Sequence, residues 1–323
     1  MSAAQVSYER FCADAAARWD TLEALLDDMA RGEVVGFDGL ERVVALQHAA
    51  LTDLALARAS FPRSAATRRL RTLVVRARRV LQPPPAPWTH RLRDALRSWP
   101  AHVRAEAGPM LVATLVFLAA GGLGAVLSSA SEAPALLFVG EEAVAAMRNG
   151  EIWTDSVGDQ MPAPLLAAAI AANNAGVGLL AWASGALLGL GSLYVLLTNG
   201  LMVGCFVTLA AQHGLLDRLF AFIAAHGPLE LTLIVLCGAA GLALTRGLLT
   251  DDGRPLEQRA ADAGRRSFLI VAGTMPGFAL LGIVEGFISP DMGVPTVHKA
   301  LLGLALWLVF GLAVVATPAP DNG

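Results

Sequence analysis

Hydrophobic and charged residues divide this chain into an N-terminal part with amphipathic periodicity and a longer part built from uncharged apolar stretches. No Asp, Glu, Lys or Arg occurs between Asp159 and Asp217. A helix crosses the roughly 30 Å hydrocarbon core of a bilayer with about 20 apolar residues. Residues 160–216 therefore have the length for two crossings, and the chain is predicted to be an integral membrane protein.

Six apolar segments predict an all-α fold, a polytopic membrane helix bundle over residues 107–316 followed by a C-terminal tail, 317–323. The predicted spans are residues 107–131, 163–190, 193–212, 228–249, 267–288 and 298–316. The second and third can also be counted as one broken helix, which gives five spans. That count would place the arginines of residues 250–266 outside the cell, so six spans agree better with the positive-inside rule.

Before the first span, apolar residues recur at three- and four-residue spacing, which predicts a small cytoplasmic helical bundle over residues 1–82. Residues 83–106 are predicted to be a stiff proline-rich linker followed by a basic amphipathic helix. In that helix tryptophans share a face with leucines and arginines are interleaved, which predicts a helix in the membrane interface. Another face of the cytoplasmic bundle is the alternative. The proposed interface residues are Trp88, Arg91, Arg93, Arg97, Trp99 and Arg104.

Charge placement predicts the orientation of the chain. Only 16% of the residues are charged and 55% are hydrophobic, and sixteen of the 23 arginines lie in residues 1–105. Arginine ahead of a first span indicates the cytoplasmic side. We expect a multi-pass protein of the cell (inner or plasma) membrane with both termini in the cytoplasm. Nucleic-acid binding is the rival interpretation of the basic run, and we expect no nucleic-acid partner because the run ends at a membrane.

Glycines recur at four-residue spacing in the predicted spans, where small residues let helix backbones approach closely. The pattern predicts a compact bundle and leaves internal packing and self-association as alternatives. The residues are Gly185, Gly189, Gly200, Gly204, Gly273, Gly277, Gly282 and Gly286.

Polar residues within or beside the apolar segments are expensive in lipid, so we expect them to meet inside the protein. His226 and Glu230 lie four residues apart and share a helix face, and Glu285 reaches the same depth from another span. Three interpretations stay open: a structural polar network, a proton or ion relay in a transporter, and a metal site. The predicted intramembrane cluster is Asn173, Asn174, His226, Glu230 and Glu285.

Motifs of known catalytic chemistry do not occur in the sequence: it has no HExxH, no P-loop, no GxSxG elbow and no GxGxxG before a helix. We therefore predict no enzymatic activity, no catalytic residue, no cofactor and no bound metal. Cys12, Cys205 and Cys237 are far apart and are predicted to be small apolar core residues.

Short motifs spread over nearly the whole chain resemble the stage II sporulation protein M family of bacterial and archaeal membrane proteins. In the soluble part they are Trp19 to Leu26, Asp53 to Arg58, and Trp99-Pro100 with Arg104. In the membrane part they are Asn173-Asn174, Asn199-Gly200, His226-Gly227-Pro228-Leu229-Glu230-Leu231-Thr232, Ala239-Ala240-Gly241 and Glu285-Gly286-Phe287. One departure is Leu46-Gln47-His48, which stands near the place where the family usually has Tyr-Arg.

The resemblance implies a multi-pass protein with a cytoplasmic helical domain. It also implies an anchor or scaffold role, since the family's namesake acts in a membrane complex with peptidoglycan-degrading proteins. We therefore expect a membrane scaffold that assembles other membrane or envelope proteins, with self-association left open. The alternative is a transporter or channel that uses the Asn/His/Glu cluster. Besides such proteins, the expected partner is the lipid bilayer.

Overall fold

A computed structural model describes residues 3–31, 36–81, 87–152 and 162–316, apart from the side chains of residues 3–6, 91 and 92. The described residues contain helices and turns and no β-strand, which confirms the predicted all-α class. Residues 83–86 of the predicted linker, the predicted tail 317–323 and the Arg91 side chain lie outside the described residues.

Thirteen α-helices follow one another in the described part of the chain. They are α1 Ala3–Ala30, α2 Phe37–Ser60, α3 Ala65–Leu81, α4 Trp88–Ala105, α5 Ala107–Ala130, α6 Ala133–Phe138, α7 Glu141–Arg148, α8 Ala163–Ala183, α9 Leu190–Gln212, α10 Leu216–Ile223, α11 Gly227–Leu249, α12 Leu256–Phe287 and α13 Thr296–Ala316. The chain divides into two compact units, Met1–Trp88 and Thr89–Gly323.

The first unit is a three-helix bundle of α1, α2 and α3 around its own apolar core. A hydrogen bond joins two of its sequence motifs, since Trp19 Nε1 donates to Asp53 Oδ2 at 2.8 Å. The basic run of α3 is partly neutralised by acids of α1. Arg69 lies 2.6 Å from both Asp20 and Glu23. The largest buried side chains of the core are Trp19, Leu22, Leu26, Val43, Leu54, Leu70 and Leu73.

Among the described residues of the second unit, six helices are long and apolar enough to cross a membrane. They are α5, α8 with the short 3-10 turn Ser184–Ala186, α9, α11, α12 and α13. Helix α11 is the most buried of the six and packs against the other five, whereas α13 is the least buried. The predicted polytopic bundle with six spans is therefore confirmed at the level of helix length and composition.

Two predicted boundaries were wrong. The connection between the second and third spans was placed around Gly191, but the structure makes it earlier, at residues 184–189, and α9 already begins at Leu190. Gly189 closes this turn with φ of +79°, a conformation that glycine adopts without strain. The fifth span was predicted to begin at residue 267, yet α12 begins at Leu256, so most of the predicted loop is helical.

Glycines set the closest helix–helix contacts of the second unit, and all eight predicted packing glycines have a neighbour from elsewhere in the chain. A Cβ on Gly204 would lie 2.0 Å from the Gly121 carbonyl oxygen, and one on Gly185 would lie 2.3 Å from that of Gly241. Gly200 likewise faces α5, Gly282 and Gly286 face α8, Gly277 faces Leu233, Gly189 faces Thr245 and Gly273 faces Trp99.

The predicted interfacial helix α4 is only partly a surface helix. Trp88, Arg93 and Arg97 are exposed, as an interface helix requires. Trp99 is not, because its side chain is buried and its Nε1 donates to the Ile270 carbonyl at 2.8 Å. Arg104 donates to the Val314 carbonyl of α13. The indole of Trp99 therefore packs inside the protein instead of facing headgroups, since the missing side chain of Gly273 leaves space for it.

The close contact of α5 with α9 generates a prediction at Gly124. A Cβ there would meet the Leu201 carbonyl oxygen at 2.4 Å, and backbone cannot rotate away. We expect Gly124→Ala to destabilise the bundle by about 1–3 kcal/mol. Unfolding of the detergent-solubilised protein by heat or denaturing detergent measures this. Gly122→Ala is the matched control, because its Cβ would meet nothing within 4 Å. Equal stability of the two variants would contradict the contact.

The burial of Trp99 generates a second prediction. Trp99→Ala should cost about 3 kcal/mol through the cavity it leaves, and Trp99→Phe should cost about 1 kcal/mol through the lost hydrogen bond. Trp88→Ala should be nearly neutral, because Trp88 is 69% exposed at the other end of the same helix. The same unfolding measurement applies. If the two alanine variants are equally stable, Trp99 does not pack as described.

Candidate functional site

A partly open cavity of about 570 Å³ lies in the second unit, among residues of α5, α7, α8, α9, α10, α11 and α12. Most of its wall is apolar, but six polar side chains line it. They are Asn173, Asn174, Asn199, His226, Glu230 and Glu285. Within a bilayer such polar groups face protein or water, and a cavity provides the space for water.

His226 contacts both of the carboxylates that line the cavity. It precedes the first turn of α11, and Pro228 occupies an early position that suits proline, since the first helical N–H groups need no partner within the helix. Its Nδ1 lies 2.9 Å from Ser289 Oγ. Its Nε2 lies 3.7 Å from Glu230 Oε2 and 3.8 Å from Glu285 Oε1. The imidazole is therefore held on one edge and faces two carboxylates on the other.

The two carboxylates come from opposite ends of antiparallel helices. Glu230 lies in the first turn of α11, where the helix dipole stabilises a negative charge. Glu285 lies in the last turn of α12, where the dipole does not. Glu285 is 6% exposed, and its Oε2 has no hydrogen-bond partner among the described residues. His226, Glu230 and Glu285 each offer one atom within 4.8 Å of the others.

The three asparagines line the cavity from α8 and α9. Asn173 Nδ2 donates to Asn174 Oδ1 at 3.2 Å, and Asn199 Nδ2 donates to the Val195 carbonyl at 2.8 Å. Asn199 lies in the middle of α9. The cavity therefore presents amide groups from mid-helix positions together with carboxylates near helix ends.

Sequence reasoning missed two residues that support His226. Ser289 lies just beyond α12, and Lys299 lies in the first turn of α13, only 2% exposed. Lys299 Nζ donates to the Ser289 carbonyl at 2.7 Å, while the Ser289 hydroxyl meets His226. Lys299 is the only lysine of the chain, and its place in an apolar segment was the available signal. Its neighbour His298 is exposed.

An ion pair between a buried carboxylate and a half-exposed arginine marks the opposite end of α11. Arg246 lies 2.6 Å from the carboxylate of Glu106, which directly precedes α5 and is 5% exposed. Burial raises the pKa of the Glu106 carboxyl above its ordinary value, and the Arg246 charge opposes that shift. This pair links the start of α5 to the C-terminal end of α11, whereas His226 lies at the N-terminal end of α11.

Comparisons with known proteins agree with this architecture. The family model described as "Stage II sporulation protein M" matches residues 113–290, which contain the cavity and its six polar side chains. A second model, "Domain of unknown function (DUF8413)", matches residues 9–82, nearly the whole three-helix bundle. The chain matches no curated protein and no solved structure. With more than half of its length matched, this multi-pass membrane protein belongs to the stage II sporulation protein M family.

Proposed function

We propose that the protein is a membrane scaffold that anchors partner proteins at the cell membrane, in remodelling of the cell envelope. The observation that carries the proposal is an exposed apolar stripe on α2, in a bundle that has its own core. The family assignment supports a role in the membrane.

The stripe consists of four residues at three-, four- and seven-residue spacing, which places them on one helix face. They are Phe37, Leu40, Val44 and Leu51, exposed by 82%, 42%, 37% and 43%. The core-facing residues of α2 are different ones, Val43, Ala50, Leu54 and Ala57. A row of exposed apolar side chains beside a complete core suits the apolar face of a helix from another protein.

The orientation of the membrane unit is part of the proposal. With six spans, α4 and the connection between α11 and α12 lie on one side of the membrane. That side carries Arg97, Arg104, Arg254, Arg259 and Arg266, so the positive-inside rule places it in the cytoplasm. Both ends of the chain then lie in the cytoplasm of a plasma or inner membrane, and residues 131–162 lie outside.

A charged substitution in the stripe tests the scaffold role. We expect Leu40→Glu/Leu51→Glu to lose the proteins that co-purify with the full-length chain in mild detergent, because burying a carboxylate in an apolar interface is unfavourable. Quantitative mass spectrometry of the captured proteins measures the loss.

Ala45→Glu/Thr52→Glu is the matched control, with the same added charge at exposed positions beside the stripe. It should keep the partners, and circular dichroism should show equal helicity for both double variants. An unchanged set of captured proteins for Leu40→Glu/Leu51→Glu would contradict the proposal.

The proposed orientation is tested separately with reporter fusions. Fusions after residues 105 and 255 should give a cytoplasmic signal, and a fusion after residue 150 should give an external one. Each reporter is active on one side of the membrane only, so paired reporters at each position act as mutual controls. An external signal after residue 255 would overturn the topology.

Transport of an ion or proton is a second candidate function, which the polar cavity favours. A transporter binds its substrate within the membrane and needs polar groups there. The two functions separate experimentally. Substitutions in the cavity would abolish transport and leave partner capture intact, whereas substitutions in the α2 stripe would do the reverse.

A further inference from the structure

We infer that His226, Glu230 and Glu285 form a binding site for one divalent transition-metal cation of the zinc and manganese class. This departs from the sequence-based prediction of no bound metal, and it goes beyond the scaffold role and does not depend on it. The inference rests on the spacing of the three side chains, on an unpartnered carboxylate oxygen, and on the support of the histidine ring.

The spacing suits atoms that share an ion better than atoms that bond to each other. The Nε2 of His226 is 3.7 Å from Glu230 Oε2 and 3.8 Å from Glu285 Oε1, longer than a hydrogen bond in both cases. Two ligand bonds of about 2.0–2.2 Å each reach across roughly 4 Å. All three ligand atoms lie within 4.8 Å of one another, so one ion between them would reach both carboxylates and the imidazole after small side-chain adjustments.

The second, independent observation is the Oε2 atom of Glu285. It is buried, lines the cavity side of α12 and has no partner among the described residues. A buried carboxylate oxygen without a partner is costly, and two carboxylates near one another in a low dielectric repel. A divalent cation that Glu285 binds through both carboxylate oxygens would supply the missing partner of Oε2 as well as contact Oε1, and it would balance both charges.

The histidine is oriented as a metal ligand requires. In metal sites the second ring nitrogen bonds to a protein group that fixes the tautomer and the ring plane. Here Ser289 Oγ contacts Nδ1 at 2.9 Å, and Lys299 Nζ holds the Ser289 carbonyl at 2.7 Å. The Nε2 atom is thereby directed at Glu230 and Glu285, with its lone pair available when Nδ1 carries the proton.

The donor set and the cavity define the class of ion. One imidazole nitrogen with two carboxylates suits zinc, manganese or iron in the divalent state, whereas calcium takes six to eight oxygen ligands. Three protein ligands leave coordination positions open. Water in the cavity of about 570 Å³ can fill them, and Asn173, Asn174 and Asn199 line the same space with amide oxygens.

The test is metal binding by the full-length protein in detergent, with any affinity tag removed. After treatment with a chelator, Zn²⁺ alone and Mn²⁺ alone are titrated by calorimetry. We expect one saturable site per chain for at least one of these ions, and a higher unfolding temperature when the site is filled. Wild-type protein that is folded and binds neither ion overturns the inference.

Substitutions assign the binding to these residues. Glu230→Gln and Glu285→Gln should each weaken binding by roughly 100-fold or more, and Ser289→Ala by roughly 10- to 100-fold, since supporting hydrogen bonds have effects of that size. His298→Gln is the matched control, because His298 is an exposed histidine at the start of α13. Equal loss in the control, or no loss in the glutamine variants, overturns the inference.

A direct measurement covers the case in which a glutamine variant fails to fold. X-ray absorption of the loaded wild-type protein should show a first shell of oxygen and nitrogen atoms with the outer scattering of a single imidazole. A shell with sulfur, or with two or more imidazoles, would place the ion elsewhere and overturn the assignment.

Discussion

The absence of hydrogen-bonding solvent inside a bilayer is the constraint on which the rest of this structure depends. Polar side chains of the spans therefore form hydrogen bonds with other groups of the same chain. Ser192 donates to the Ala181 carbonyl at 2.6 Å, and Thr245 donates to that of Gly185 at 2.7 Å. Trp182 Nε1 donates to Ser267 Oγ at 3.0 Å. These bonds fasten α8 and its 3-10 turn to α9, α11 and α12.

The cavity is the place where this constraint is met least completely. Glu285 brings a second carboxylate close to the one on Glu230, and one of its oxygens has no partner among the described residues. Elsewhere in the spans the hydroxyls of Ser192 and Thr245 bond to carbonyl groups, and the indole of Trp182 bonds to a hydroxyl. A protein that needed only a stable bundle gains nothing from a buried carboxylate beside a second, largely buried one, so their presence indicates a use for them.

Much of the fold could be predicted from the sequence, because lipid demands long uncharged helices whose ends are marked by charges or turn residues. The polar residues around the cavity could also be identified from the sequence, since each is costly alone in hydrocarbon. Ser289 and Lys299 could not be identified, because a hydrogen bond between distant segments produces no recognisable spacing in the sequence. The burial of Trp99 could not be predicted for a related reason: a tryptophan on a basic amphipathic helix looks the same whether it meets headgroups or a glycine groove.

The contact between α5 and α9 is made by backbone on both sides, with Gly121 and Gly124 facing Gly204 and Leu201. In a contact between side chains, enlargement of one residue can be offset by reduction of its neighbour. Here the neighbour of each glycine is a carbonyl group, which no substitution can reduce. Along this contact, no substitution of a neighbouring residue can therefore restore the lost space. A larger residue in place of one of these glycines requires the two helices to move apart.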